Sequence, residues 1–262
     1  MDRSFLSRSN VIAASRPFVC VRLTTYENPA EAVLLKSFQV TRSGEVENTV
    51  FTILSPDGRR QLARASRSAS QTFGDAARMA DTMNRIAREY GAKPPARGSL
   101  PELPTVPNLR LAVNVAACDN QPLVVLVAPS EESRRSLEER LIPLAWSDPF
   151  LGRFVFVVVT ETKELAGIEG VKATPGVLVV QPDRFGLKGK VLKQVGEKAS
   201  QDELRKGLQE VASLYRNEEK TFGSHVREGQ KQGIFWETVT PVTDPMEQRA
   251  RERGRLQGPR PE

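Results

Sequence analysis

The stretch that decides the fold is Gly170-Val171-Lys172-Ala173-Thr174-Pro175-Gly176-Val177-Leu178-Val179-Val180-Gln181-Pro182-Asp183. A short loop presents Thr-Pro, an apolar run follows, and Pro-Asp turns the chain. A second strand, Lys190-Val191-Leu192-Lys193-Gln194-Val195, comes next, and a helix begins at Ser200 and runs to about Tyr215. An X-Pro bond is only mildly biased against cis, so a proline directly before a buried strand is where a cis bond is used.

Working outward, the chain upstream alternates helices with apolar strands. The segment 109–117 reads as a helix or a strand, and Leu123-Val124-Val125-Leu126-Val127 as a buried strand. Pro129-Ser130 opens a helix through Leu137 and Leu141. Glu131 and Glu132 lie in its first turn, where acids complement the helix dipole. Phe154-Val155-Phe156-Val157-Val158-Val159 is the most apolar strand, and a short helix around Glu164–Ile168 leads into the Thr-Pro loop. Strands apolar throughout, alternating with helices and ending in a hairpin, predict an α/β domain whose mixed sheet is covered on both faces.

The segment 92–108 holds Pro94, Pro95, Pro101, Pro104 and Pro107, a density that suits a semi-rigid linker and marks a domain boundary. Before it, residues 3–15 suggest a helix stopped by Pro17, and Phe18 to Leu23 reads as a short buried strand. Asn28-Pro29 caps a second helix. Thr49–Leu54 and Gln61–Ala65 form a hairpin around the turn Ser55-Pro56-Asp57-Gly58, and a long helix runs from about Phe73 to Tyr90 before Gly91. From Arg216 to Glu262 the chain is polar and aperiodic, as expected of a mobile, disordered tail, with Ile234-Phe235-Trp236 its one apolar cluster. That cluster docks on the protein's own surface or forms a partner-binding patch. The domain plan is therefore 1–91, a 92–108 linker, 109–215, and a 216–262 tail.

With 262 residues, 39% hydrophobic and 27% charged, the chain has room for two ordinary domains. No apolar run approaches the ~20 residues of a membrane helix. Met1 to Arg8 has no apolar segment of the kind a signal peptide needs, which by default means cytoplasm; a start upstream of Met1 would leave export open. The net charge of +6 is spread among acids, and Glu247 and Glu252 interrupt Arg249, Arg251, Arg253 and Arg255. Nucleic acid is therefore not the expected partner. Cys20 and Cys118 form no C-x-x-C, and with the single histidine, His225, they exclude most metal and nucleophile constellations. No metal or cofactor is expected. Cys20, between Val19 and Val21, reads as a small buried hydrophobe, and Cys118, before Asp119-Asn120, as a turn residue and a candidate reactive thiol.

The order Thr-Pro, strand, turn, strand, amphipathic helix resembles the second half of a thioredoxin fold, and residues 109–215 resemble a whole thioredoxin domain. The strand 123–127, Ala128-Pro129 and the following helix correspond to that family's strand, Ala-Pro and C-x-x-C-bearing helix. Here the place reads Ser130-Glu131-Glu132-Ser133-Arg134. Thiol–disulfide exchange needs a thiolate stabilised at that helix N-terminus, and serine cannot form a disulfide. Residues 1–90 resemble the thioredoxin-like group downstream of its cysteines, through Met1-Asp2-Arg3-Ser4-Phe5-Leu6-Ser7, Val11, Phe18-Val19-Cys20-Val21, Asn48-Thr49-Val50-Phe51 and Pro56-Asp57-Gly58. Asn48 stands where the family has its cis proline. By this resemblance a central strand between 18–23 and 49–54 is missing. Either the native chain extends upstream, or those two strands pair directly, or an edge of another domain fills the gap.

The resemblance implies two thioredoxin-like domains, the first incomplete and neither carrying C-x-x-C. The expected function is a redox-inactive protein- or peptide-binding module, with Ser130, Ser133, Thr174 and Pro175 lining the groove. The alternative is a thiol–disulfide oxidoreductase whose C-x-x-C lies upstream of Met1. The 262-residue chain itself is expected to show no such activity.

Overall fold

In this computed structural model the described residues are 5–21, 23, 28–38, 50–91, 102–172, 175–215, 220–234 and the single positions 249 and 252. The chain divides into two units, Met1–Pro94 with Phe235–Glu262, and Pro95–Ile234.

The second unit is an α/β sheet domain. Its strands are β1 (Thr105–Val106), β2 (Leu123–Val127), β3 (Val155–Val159), β4 (Ile168–Glu169), β5 (Gly176–Pro182) and β6 (Gly189–Gly196). They form one six-stranded mixed sheet in the order β1-β3-β2-β5-β6-β4. β1 and β2 run parallel to β3, β5 runs antiparallel to β2 and β6, and β4 pairs parallel with β6. All five residues of β2 are buried, as an apolar run without alternation requires of a central strand covered on both faces.

Alternate side chains of these strands feed two cores. On one face Val124, Leu126, Phe156 and Val179 pack under α6 (Glu131–Ala145) and α7 (Gln201–Leu214) through Leu137, Leu141 and Leu208. On the other, Leu123, Val125, Val157 and Leu178 meet Ala112, Val113 and Ala116 of α5 (Leu109–Asp119). The helix expected over Ser200–Tyr215 is α7, and 109–117 is settled as helix.

Each of these helices begins on an oxygen-bearing cap. Asn108, Ser130 and Ser200 accept from the backbone N–H three residues on, satisfying donors that a helix start leaves without partners. At α7 the cap is reciprocal, since Glu203 accepts from Ser200 N and Oγ, both at 2.8 Å. The Ser200 backbone N–H, then its hydroxyl, hold the Glu203 carboxyl below its ordinary range. A lowered folded value contributes stability above the usual Glu pKa of about 4.3 and loses it as pH falls through the folded value. Wild type is therefore expected to melt above Glu203→Gln at neutral pH, with the difference in Tm closing below about pH 4; scanning calorimetry across that range checks it.

Two expectations for this unit are corrected. The segment expected as a semi-rigid linker over 92–108 enters the sheet domain before residue 109. Leu103 is buried, Thr105–Val106 pair with β3, and Trp146 Nε1 donates to the Glu102 carbonyl at 3.0 Å. Pro104 and Pro107 flank the two paired residues without removing their N–H groups, so a two-residue edge strand survives in a proline-rich segment. The disordered tail expected from 216 onward is also corrected, because α8 (Phe222–Lys231) forms and contacts the β5–β6 loop, with Lys220 just before it bonding Ala117 O and Arg184 O. Its anchors are polar, which a search for apolar periodicity does not register.

In the first unit the described helices are α1 (Ser9–Ser15), α2 (Pro29–Phe38), α3 (Ala69–Phe73) and α4 (Ala76–Tyr90). A core of Val11, Ala14, Ile53, Phe73, Met79, Met83 and Ile86 joins α1, α3 and α4 to the 50–66 segment. The single helix expected from Phe73 to Tyr90 is two, because Gly74 takes φ +80° and Asp75 then caps α4 by accepting from Arg78 N at 2.9 Å.

The turn at Ser55–Gly58 closes as expected, with Gly58 N donating to Ser55 O at 2.8 Å. The hairpin around it is reduced to two antiparallel bridges, Phe51–Ser66 and Leu54–Gln61; Thr49 lies outside the described residues. The buried strand expected at 18–23 is not formed. Phe18 to Val21 is irregular, Val19 and Val21 are 82% and 72% exposed, and Cys20 is exposed rather than facing a core. β-branched residues favour a strand only where a neighbouring strand satisfies the backbone and packs the side chains. Among the described residues no strand lies beside this segment, and none of 18–21 or 23 pairs with 50–54, the alternative in which the two segments pair directly.

Candidate functional site

The β2–β5 register brings the expected groove residues to one end of the sheet. Val127, the last residue of β2, pairs with Gly176, the first of β5. Antiparallel pairing puts Pro175 beside Ala128, from which Pro129-Ser130 enters α6. Pro175 is half-buried, and Thr174 lies outside the described residues.

Ser130 and Ser133 share the first turn of α6 and differ in what they do. Ser130 is exposed, and its Oγ accepts from Ser133 N at 3.1 Å, so capping occupies it. The Ser133 side chain is on the face that carries Leu137 and Leu141, is 7% exposed, and its Oγ has no hydrogen-bond partner among the described residues. A buried hydroxyl left unsatisfied costs about 1–3 kcal/mol, which marks Ser133 as the unusual group of this turn. Glu131 and Glu132 project outward from the same turn. Further along, Arg134 is held at 2.8 Å by Glu138, whose hydrogen bond and charge raise the guanidinium's pKa and keep it cationic.

Among the described residues neither the histidine nor a cysteine lies beside this turn. Cys118 sits in the last turn of α5 rather than in a turn after it, is exposed, and its Sγ donates to Asn114 Oδ1 at 3.9 Å. α5 leads into the start of β2, whereas Ser130 follows its end. Five strand residues at about 3.3 Å each put some 16 Å between those ends. The candidate thiol therefore lies at the opposite end of β2 from Ser130. His225 stacks on Phe185 in the loop between β5 and β6, and since Val180 pairs with Leu123, that loop is also at the start of β2. A serine hydroxyl without a neighbouring base is a weak nucleophile.

No family model, curated protein or solved structure matches this chain. Among the described residues no group of three or more His, Cys, Asp or Glu side chains could hold a metal ion, and no helix is long and apolar enough to cross a membrane.

Two features of the site were not legible in sequence. Gly176 takes φ +151° in close approach to β6, for which the glycine directly after Pro175 was the available signal. The unsatisfied hydroxyl of Ser133 had no sequence signal, because burial of a helix-start serine depends on which face meets the sheet.

Proposed function

We propose that the sheet unit is a thioredoxin-like domain without thiol chemistry, and that it binds an extended protein or peptide segment between the N-terminus of α6 and Pro175. The single observation that carries this reading is the Val127–Gly176 pairing, which sets Pro175 beside the serine-capped start of α6. The order β1-β3-β2-β5-β6, with three parallel strands followed by two antiparallel ones, supports the thioredoxin-like part. Serines in the first turn of α6 leave that helix start able to donate hydrogen bonds and unable to exchange disulfides. The reading covers this unit alone; for the first unit the described residues give helices and two isolated bridges.

Panning the full chain against a random 12-residue phage-displayed peptide library tests it. Selected peptides are expected to lose at least about tenfold in affinity for Ser130→Tyr, which fills the groove mouth, and nothing for Cys118→Ala, at the far end of β2; about 1.4 kcal/mol corresponds to that factor. In parallel, the chain is expected to leave dithiothreitol-driven insulin reduction at its uncatalysed rate. Peptides indifferent to Ser130→Tyr would sink the groove, and acceleration lost on replacing either cysteine would sink the redox-silent half.

A further inference from the structure

The end of the sheet unit away from the groove carries a separate device. Lys220 Nζ donates to two main-chain carbonyls, Ala117 O and Arg184 O, each at 3.0 Å and partly buried. Ala117 is in the last turn of α5, where carbonyls lack helical partners and the dipole favours a cation. Asn120 N and Gln121 N both bond Ala116 O, so neither occupies the neighbouring Ala117 carbonyl. The second acceptor belongs to the β5–β6 loop, which is fixed independently of α8. Asp183 Oδ1 accepts from Leu187 N at 2.7 Å and Lys188 N at 2.9 Å, and a Cβ on Gly186 would lie 2.6 Å from Asn114 Cα.

Onto this firm floor α8 is set down by polar and aromatic contacts. Thr221 caps it by accepting from Ser224 N at 3.4 Å, His225 stacks on Phe185 with centroids 5.0 Å apart, and Glu228 pairs with Arg184 at 3.2 Å. No described residue of α8 belongs to any of the three hydrophobic cores. A 10-residue helix is marginal by itself, and a partly exposed ion pair adds little. Lys220, just before the helix, adds two charge-assisted bonds to main-chain carbonyls, stronger in kind than a partly exposed ion pair.

We propose that α8 is a strap latched to the sheet unit by Lys220, and that it lifts as one piece while the sheet stays folded. Lifting bares the Phe185 ring together with the Ala117 and Arg184 carbonyls, and takes no described residue out of the three cores. This inference is independent of the peptide groove, which lies at the other end of β2.

Hydrogen exchange followed by mass spectrometry on the full chain tests it. Amides of 221–233 are expected to exchange at least about 100-fold faster than those of β2 and β5, as a locally opening segment does. Lys220→Met is expected to speed 221–233 by roughly a further 10- to 100-fold, the worth of hydrogen bonds to a charged group, while leaving β2 and β5 unchanged. Lys220→Arg, which keeps the charge and the donors, is expected to recover most of the protection. Exchange of 221–233 together with β2 and β5 would overturn the proposal. So would a Lys220→Met variant that leaves 221–233 unchanged, or one that speeds the sheet equally.

Discussion

Replacing Gly176 by valine is expected to destabilise the sheet unit by about 3–5 kcal/mol, the sum of overpacking and backbone strain at one position. A Cβ at Gly176 would lie 2.4 Å from Val195 O and 3.1 Å from both Glu197 N and Gly196 Cα. All three atoms are main chain of β6 and its continuation, so no side-chain rotation relieves the clash. The φ of +151° adds a conformation that L side chains rarely adopt. Gly176 is also fixed from both sides, paired with Gly196 of β6 and with Val127 of β2, so the strand cannot shift without opening a ladder. Gly58→Val is the control, since Gly58 also has positive φ, +71°, but no atom within 4 Å of its would-be Cβ. Its cost is expected to stay near 1 kcal/mol, the strain alone. Urea unfolding followed by circular dichroism measures both, and equal losses would mean that the approach of β5 to β6 is not what demands glycine.

The second large effect is expected at Leu137. Its side chain is fully buried in the core beneath α6, so Leu137→Ala removes three carbons from a packed interior and leaves a cavity, costing about 3 kcal/mol within a range of 2–5. Glu138, the next residue, points outward to Arg134 at 2.8 Å. Glu138→Ala is expected to cost no more than about 1 kcal/mol, as exposed ion pairs do. The contrast between adjacent positions reports which face of α6 meets the sheet, and so whether Ser133, one turn before Leu137, lies on the buried side. A Leu137→Ala loss below about 1 kcal/mol would place that face in solvent.

The central strands were legible because their apolar runs are long, β-branched and uninterrupted, as in Leu123–Val127 and Val177–Val180. The start of α6 was legible through its Ser130 cap. Pairing was not legible where it is short or missing. Thr105-Val106 makes an edge strand between prolines, whereas Phe18–Val21 has the composition of a strand and no strand neighbour among the described residues. Composition reports what a side chain tolerates, and the partner decides whether a ladder forms. α8 escaped notice for a related reason, since a lysine bonding two carbonyls leaves no periodic trace.

For the site, the association of Pro175 with Ser130 and Ser133 came from the resemblance to the thioredoxin fold. The β2–β5 register was needed to assign Cys118 and His225 to the opposite end. Whether a helix-start serine caps or is buried depends on helix rotation, and Ser130 and Ser133 divide those two roles.

The most direct measurement is an amide chemical-shift map of the full, isotope-labelled chain titrated with a peptide selected from the library. Binding in the groove predicts that the largest shifts fall on Ser130–Ser133 and Gly176–Val177, with Cys118 and residues 184–187 unmoved. Largest shifts at the Cys118 end of β2, or in the first unit, would contradict it.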